Sequence, residues 1–475
     1  MMNRRKFLQQ VSLLTGGLIL AWQTPLSALA GKDKKIRGRI TAKGKGIAGV
    51  VVSDGYTVMA TDKKGRFEFE PDPAAVTVFI STPAGYEFLQ EKNITRHYRL
   101  LNNTSHGKEI KFELEPLPKD DNEHQFFIWA DPQVKNAKDV EKMMTQTVPD
   151  VQKMVKAAGA GTLLHGITVG DIVWDELQLY SDYSQAVEKM NIPFFQCLGN
   201  HDMDLGKGGD ETSDDTFQQT FGPTHYSFNR GQVHYVVMDN VRYLGKDKNY
   251  DGYIQQNQLD WLQKDLAFVP NDKLIVLCVH IPVHRHTKNN ESLYNLLKGR
   301  EVHIMSGHTH YLQNIIKDNI FEHNHGTVCG AWWTGDICED GTPNGYAIYK
   351  VKGRELSWHY QSTGKDSNYQ METYLSGIDA GNKLLQVNIW NFDPQWKTEY
   401  FVDGIGQGPL TQYEGMDPVA QKTMLGPDLP KSRGFAEPHV TGHLFKAIIP
   451  SSAKEVIVHA IDRFGSTYKI TKKVS

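Results

Sequence analysis

The stretch Phe194-Phe195-Gln196-Cys197-Leu198-Gly199-Asn200-His201-Asp202 is a short apolar run that stops abruptly at an amide, an imidazole and a carboxylate. A run of that length without helical spacing reads as a buried strand, with chemistry beginning where the strand ends. The pattern recurs. Gln125 to Ala130 ends in Asp131-Pro132-Gln133, Ile167 to Val169 in Gly170-Asp171, and Leu274 to Val279 in His280, while Val302 to Met305 runs into Gly307-His308-Thr309-His310. Between these runs lie helical patterns. Apolar residues recur at helical spacing from Ala137 to Ala158, and Leu259, Leu262 and Leu266 mark one helix face. Strands alternating with helices predict an α/β unit, whose ligands sit beyond the carboxyl ends of the strands.

Singly, each strand end has an ordinary structural explanation: Asp as a helix cap, Gly-Asp as a turn, a lone His as a hydrogen-bonded core residue. Jointly they do not. Asp, Gly-Asp, Gly-Asn-His-Asp, His and Gly-His-Thr-His at five successive strand ends form one convergent cluster of oxygen and imidazole donors.

In this order the motifs resemble the calcineurin-like metallophosphoesterase family over roughly Glu123 to Gly364. The resemblance implies a four-layer αββα fold, two mixed sheets between helices, with two divalent metals at the strand ends. Carried over residue by residue, Asp131 and His310 hold the first metal, Asn200, His280 and His308 the second, and Asp171 bridges both. Gln133 stands where the family commonly has His and is taken as a weak first-site ligand through its carbonyl oxygen. Mixed nitrogen and oxygen donors suit Mn, Fe or Zn better than Ca. The resemblance further implies that a metal-bridging hydroxide attacks phosphorus and that His201 protonates the leaving alkoxide. Asp202 or Asp175 would hold the His201 imidazole, and spacing leaves that choice open. The family often places an Asp three residues after the bridging one; here that position is Trp174 and the carboxylate falls at Asp175.

The chain around this unit has a different texture. From Ile36 to Leu117, short alternating segments are punctuated by Ser53-Asp54-Gly55 and Asp62-Lys63-Lys64-Gly65, as in a β-sandwich. From about Tyr369 a second β-rich region follows, with strands expected at Leu384 to Asn391, Leu444 to Ile449 and Glu455 to Ile461. The expected domains are residues 1–30 as a signal, 31–118 as a β-sandwich, 119–365 as the α/β unit and 366–475 as a C-terminal β-rich domain. Substrate contacts are expected from loops. Arg285 follows His280 closely and could fork onto a phosphate oxygen, while Trp332 and Trp333 are either a core plug or an aromatic platform. His323 and His325 read as structural. Cys197 and Cys278 read as buried hydrophobes, and Cys329 and Cys338 are near enough in sequence to make a disulfide a question.

Composition narrows the function classes. With 52 Lys+Arg against 55 Asp+Glu and no long basic run, the chain lacks the clustered charge of a nucleic-acid binder. Four Cys exclude a disulfide scaffold. Asn3-Arg4-Arg5-Lys6-Phe7-Leu8, a short apolar stretch and Ala28-Leu29-Ala30 read as a twin-arginine-like signal, too short to serve as a transmembrane anchor. Its removal takes three basic residues and no acid, leaving 49 basic and 55 acidic residues and a net charge of −6. The preferred reading is an exported, periplasmic or extracellular, dinuclear metal phosphomonoesterase acting on a phosphorylated small molecule, sugar or lipid. No obligate protein partner is expected. A phosphodiesterase acting on nucleotide or lipid head-group diesters is the alternative within the same chemistry, and a non-catalytic binding protein the alternative from another class.

Overall fold

The computed structural model describes residues 35–101, 108–246, 248–425 and 436–474. The twin-arginine-like segment lies outside the described residues. Strand Glu123–Trp129 pairs in parallel with Leu164–Val169, which pairs in parallel with Phe194–Cys197. On its other side Glu123–Trp129 meets the hairpin Gly345–Lys352 and Glu355–Ser362. A second sheet runs in the order Tyr226–Arg230, Val233–Val237, Leu274–Cys278, Val302–Ser306, Ile320–Asn324, Gln313–Lys317. The strands that lead to the motifs are therefore parallel within each sheet, and their carboxyl ends share an edge. Both faces of these strands are buried, which is why they read as unbroken apolar runs rather than alternating ones.

The two sheets face each other across an aromatic seam. Across it the Phe195 and Phe228 rings stack at 3.7 Å and Tyr235 meets Phe126 edge-on at 5.4 Å, while Phe228 with Tyr235 at 4.7 Å and Phe126 with Tyr349 at 4.8 Å stack as neighbours within a sheet. Helices Val148–Ala157 and Tyr180–Met190 bury Val151, Tyr183 and Val187 against Trp129 and Phe194 of the first sheet. Helices Gln256–Leu266 and Asn290–Leu297 bury Leu259, Leu262, Leu293 and Leu297 against the second. This is the four-layer αββα arrangement. The helix expected across Ala137 to Ala158 is interrupted: Ala137–Lys142 and Val148–Ala157 are separated by a π-helical turn, Met143–Thr147. Pro149, which has no N–H to give the preceding turn, accounts for the break.

Two β-sandwiches flank the unit. The N-terminal one closes two four-stranded sheets over Ile36, Ile40, Val52, Phe67, Ile80 and Phe112. The C-terminal one closes two more over Leu385, Val387, Ile389, Val456, Val458 and Tyr468. Neither is merely tethered. The hairpin Gln90–Glu91 and Ile94–Thr95 adds two short strands to the edge of the first sheet, pairing Ile94 with Phe194, and so covers backbone groups that an open edge would expose. Trp261 is fully buried against the N-terminal sandwich, its ring 6.2 Å from Phe79 and its Nε1–H donating to Ser53 Oγ at 3.1 Å. No described helix is long and apolar enough to cross a membrane.

Trp261→Ala empties this seam and takes from the Ser53 hydroxyl one of its two donors, the Gly55 N–H at 2.9 Å being the other. A loss of about 3–5 kcal/mol in urea unfolding is expected; a loss under about 1 kcal/mol would show that the seam does not bear on stability.

Candidate metal centre

At the shared edge, the chain must turn sharply while presenting side chains inward. Asp131, Gln133, Asp171, His308 and His310 all have positive φ, between 40° and 72°, a costly conformation for residues with a Cβ. Three motif glycines show why no larger residue fits beside them. A Cβ on Gly170 would sit 2.4 Å from His280 Nδ1, one on Gly199 2.0 Å from the Asp171 nitrogen, and one on Gly307 2.4 Å from Asp131 Oδ2. The Gly-Asp, Gly-Asn-His-Asp and Gly-His-Thr-His spacings are the sequence trace of this close approach.

His280 Nδ1 lies 2.9 Å from the Val169 carbonyl oxygen, to which it donates, leaving Nε2 to face the cluster. That nitrogen is 2.9 Å from Asn200 Oδ1, 3.2 Å from Asp171 Oδ1 and 3.2 Å from His308 Nδ1. Asp171, His280 and His308 each offer a ligand atom within 4.8 Å of the others. Asp171 Oδ1 also accepts the His201 backbone N–H at 2.9 Å, and Oδ2 accepts the Gln133 amide at 2.7 Å. Asp131, completely buried, accepts the His308 N–H at 2.9 Å and stands 3.7 Å from His310 Nε2.

The electrostatics suit cations. Burial pushes the Asp131 carboxyl up to about 7, with His280 opposing and Asp171 adding to the rise. Burial acts the same way on Asp171, but the charges of His280 and His201 outweigh it and hold that carboxyl below the usual range. His308 falls to about 3 and His310 to about 4, chiefly through burial, so both rings are neutral. Burial would lower His280 too, yet Asp171 and Asp131 lift it to about 9. Asp171, His280 and His308, with Asn200 Oδ1 against the His280 ring, form one group of donors, and Asp131 with His310 Nε2 3.7 Å away stands beside it. Divalent cations fit that donor set and would keep both carboxylates ionised.

His201 stands beside the cluster, its Nδ1 2.8 Å from Asp175 Oδ1; Asp175 also pairs with the Lys248 ammonium. Asp202 is corrected from an orienting residue of His201 to a brace of the loop. Its carboxylate, fully buried, accepts the N–H of Gly199 at 2.9 Å and of Ile172 at 3.1 Å, together with the Tyr180 hydroxyl at 3.2 Å. With Trp174 inserted, the carboxylate that reaches the imidazole is Asp175. Gln133 is beside the site but turned, its Nε2 donating to Asp171 and its Oε1 3.9 Å from the Cys329 thiol, so its oxygen does not join the ligand set in this conformation.

The tandem tryptophans divide the two roles expected of them. Trp333 is buried and its Nε1–H donates to the Pro132 carbonyl at 2.8 Å, a plug beneath the first strand end. Trp332 is half-buried and stacks on His310 at 4.2 Å; Trp174, 6.0 Å from it, lies 4.9 Å from the His201 ring. Arg285 is exposed on the turn Val283–His286, and its guanidinium makes no hydrogen bond or ion pair among the described residues. His323 bonds His303 at 2.8 Å, and His325 bonds Tyr349 at 2.9 Å, as structural residues. All four cysteines are free thiols, so Cys329 and Cys338 are not bridged. Trp174 and Lys248 lie at the site without a sequence signal of their own. Trp174 could have been suspected only from its position between Asp171 and Asp175, and Lys248 sits in a polar turn with no pattern at all.

Three segments match families described as N terminal of Calcineurin-like phosphoesterase (residues 34–117), Calcineurin-like phosphoesterase (144–312) and C terminal of Calcineurin-like phosphoesterase (322–468). The middle match spans Asp171, Asn200, His201, His280, His308 and His310 and begins after Asp131. Among solved structures, the chain is similar to a dimetal phosphatase from Danio rerio at 13% identity, covering 50% of this chain and 96% of that one with a TM-score of 0.37. A purple acid phosphatase from yellow lupin (Lupinus luteus) matches at 13% identity over 72% and 67% of the two chains, with a TM-score of 0.37. A 5'-nucleotidase from Candida albicans matches at 11% identity over 51% of each, with a TM-score of 0.33. No curated protein matches by sequence.

Gly199→Ala tests the packing of the ligands. The added methyl must displace the Asp171 backbone, so the variant is expected to fold, by circular dichroism, but to bind fewer metal ions per chain than the parent in elemental analysis after reconstitution. Parental metal content would contradict the geometry.

Proposed function

Since the chain belongs to the calcineurin-like phosphoesterases, metal-dependent hydrolases of phosphoric esters, we propose that it is an exported phosphomonoesterase in which His201 is the general acid. The observation that carries this reading is the His201–Asp175 pair at 2.8 Å. With Nδ1 engaged by a carboxylate, the imidazole holds a proton and Nε2 is the nitrogen left for a leaving oxygen. Its pKa is raised: burial pulls it down, but Asp171 and Asp175 together pull it further up. The Lys248 ammonium on the second oxygen of Asp175 holds that carboxylate in place.

Asp131 and His310 would hold one divalent ion, Asn200, His280 and His308 the other, and Asp171 both; Mn, Fe and Zn are the candidates by donor type. Such ions, when bound, neutralise phosphoryl charge and provide hydroxide at neutral pH. The protein's own groups do the rest. Asp171, tied to the His201 backbone, fixes the distance between the bridging ligand and the acid. Trp174 and Trp332 form an aromatic wall between His201 and His310, which favours a substrate whose alcohol part has a ring or apolar body, such as a phosphorylated sugar, small molecule or lipid. Arg285, exposed on the turn that follows His280, is a candidate phosphate contact, whereas the buried Trp333 is not. Export rests on Asn3-Arg4-Arg5-Lys6-Phe7-Leu8 and the small-residue site at Ala28-Leu29-Ala30, and implies a periplasmic or extracellular protein. We divide the mature chain at residues 31–118, 119–365 and 366–475.

Parallel turnover of nitrophenyl phosphate and bis-nitrophenyl phosphate by the metal-reconstituted protein decides the ester class. Faster monoester cleavage is expected; faster diester cleavage would make it a phosphodiesterase, and no cleavage with less than one bound ion per chain would make it a binding protein. His201→Ala should keep its metal content and lose about 10²- to 10⁴-fold in kcat. Retained turnover would remove His201 from the chemistry.

A further inference from the structure

The loop Gly307 to Leu312 is held from two sides. Its first half is fastened to the α/β unit: the Gly307 N–H donates to the His280 carbonyl at 3.0 Å and the His308 N–H to Asp131 at 2.9 Å. Its second half is fastened through residues that lead outward. The His310 carbonyl accepts the Glu339 N–H at 3.0 Å, and the Glu339 carbonyl accepts the His439 N–H at 2.9 Å. The next ring, Tyr311, stacks on His439 at 4.0 Å and 6°. The Leu312 N–H donates to Asp340 Oδ2 at 2.7 Å, and the same oxygen receives His443 Nε2 at 3.0 Å.

His443 and Asn388 lie on adjacent strands of the C-terminal sandwich, Val440–Pro450 and Asn382–Ile389. His443 Nδ1 is 2.6 Å from Asn388 Oδ1, and Asn388 Nδ2 donates to the Asp340 carbonyl and to Asp417 Oδ2, each at 2.9 Å. Asp340, Asn388 and Asp417 are completely buried. Such a network holds one geometry when fully satisfied and is costly when broken. It meets the metal centre beside His310, which stands at φ 55° and is one of five residues there in a strained conformation that persists only where the surroundings impose it.

We propose that the C-terminal sandwich is the positioning element of the first metal site, with His443 acting through Asp340 and His439 through Glu339 and Tyr311 to fix the loop that aims His310. The second site, built on Asn200, His280 and His308, makes its own side-chain contacts within the α/β unit among the described residues. The inference rests on the two-metal reading above, and removal of the sandwich's contacts should therefore separate the two sites.

The full chain, stripped of metal and titrated with Mn(II) by calorimetry, measures both dissociation constants; the step lost in His310→Ala identifies the first site. In His443→Ala, the first-site constant is expected to rise at least about tenfold, the range seen for lost partners behind a metal ligand. The second-site constant should stay close to the parent's. His443→Gln, whose amide can still donate to Asp340, should recover most of the loss. Equal weakening of both sites, or no change in a folded variant, overturns the proposal. If His443→Ala does not fold, His439→Ala, which removes only the ring stacked on Tyr311, is read by the same two outcomes with a smaller expected rise. A parent chain that binds fewer than two ions would fail the two-metal reading itself, a result distinct from either.

Discussion

Two carboxylates, Asp131 and Asp171, are buried at neighbouring strand ends, and the rest of the centre answers that constraint. An isolated ionised carboxylate in such a place is untenable, and two close together are worse. Backbone N–H groups of His201 and His308 and the His280 ring offset part of the cost. What remains is the driving force for cations. The constraint also explains the local backbone. The ligands can converge only if glycine stands at Gly170, Gly199 and Gly307 and if five side-chain-bearing residues accept left-handed conformations. Asp202 belongs to the same economy: buried and pushed up to about 7 by desolvation and by Asp171, it gathers the N–H groups of both motif loops without touching a reacting atom.

Most of this was legible because it is local. Strands buried on both faces leave unbroken apolar runs, and parallel pairing puts their ends together, so the cluster could be read from position, while the family resemblance separated Asp131, Asp171, Asn200, His280, His308 and His310 from His201 and Asp202 at the same strand ends. The choice between Asp175 and Asp202 could not, because Asp202 is adjacent to His201 in sequence, Asp175 follows the neighbouring strand, and only the loop path decides which carboxylate reaches the ring. The tryptophans were undecidable for a similar reason. Adjacent residues at positive φ point in different directions, and Trp332 and Trp333 consequently do opposite things. Lys248 and the His443–Asp340 contact join residues far apart in the chain, with no periodicity to announce them.

The 19 histidines divide along the same line. His303 and His323, held well below the ordinary range chiefly by burial, are neutral and bonded to each other, and His325 bonds Ser306 and Tyr349. These are core residues with a polar atom satisfied, the commoner fate of a buried imidazole. His280 differs in sign. Equally buried, it is raised instead of lowered, because the charges of Asp171 and Asp131 outweigh burial, with Asp171 Oδ1 3.2 Å from its Nε2. A buried histidine shifted upward by two acids marks a charged site in a way that neither burial nor abundance does.

The flanking sandwiches meet this centre unequally. The N-terminal hairpin pairs with Phe194, on the strand that ends at Asn200, and its contribution is to the backbone of a sheet edge. Its contacts would serve any sheet with an open edge and are indifferent to what lies at the strand end. The C-terminal sandwich instead stacks His439 on Tyr311 and, through Glu339 and Asp340, backs the carbonyl and N–H groups on either side of it, one residue from His310. A ligand already anchored by its sheet, as His308 is through Asp131, gains little from such help. His310, placed beyond the sheet at the far end of a loop, has the Trp332 ring stacked on its imidazole, and the buried network of Asp340, Asn388, His443 and Asp417 adds to that by fixing the backbone that follows it.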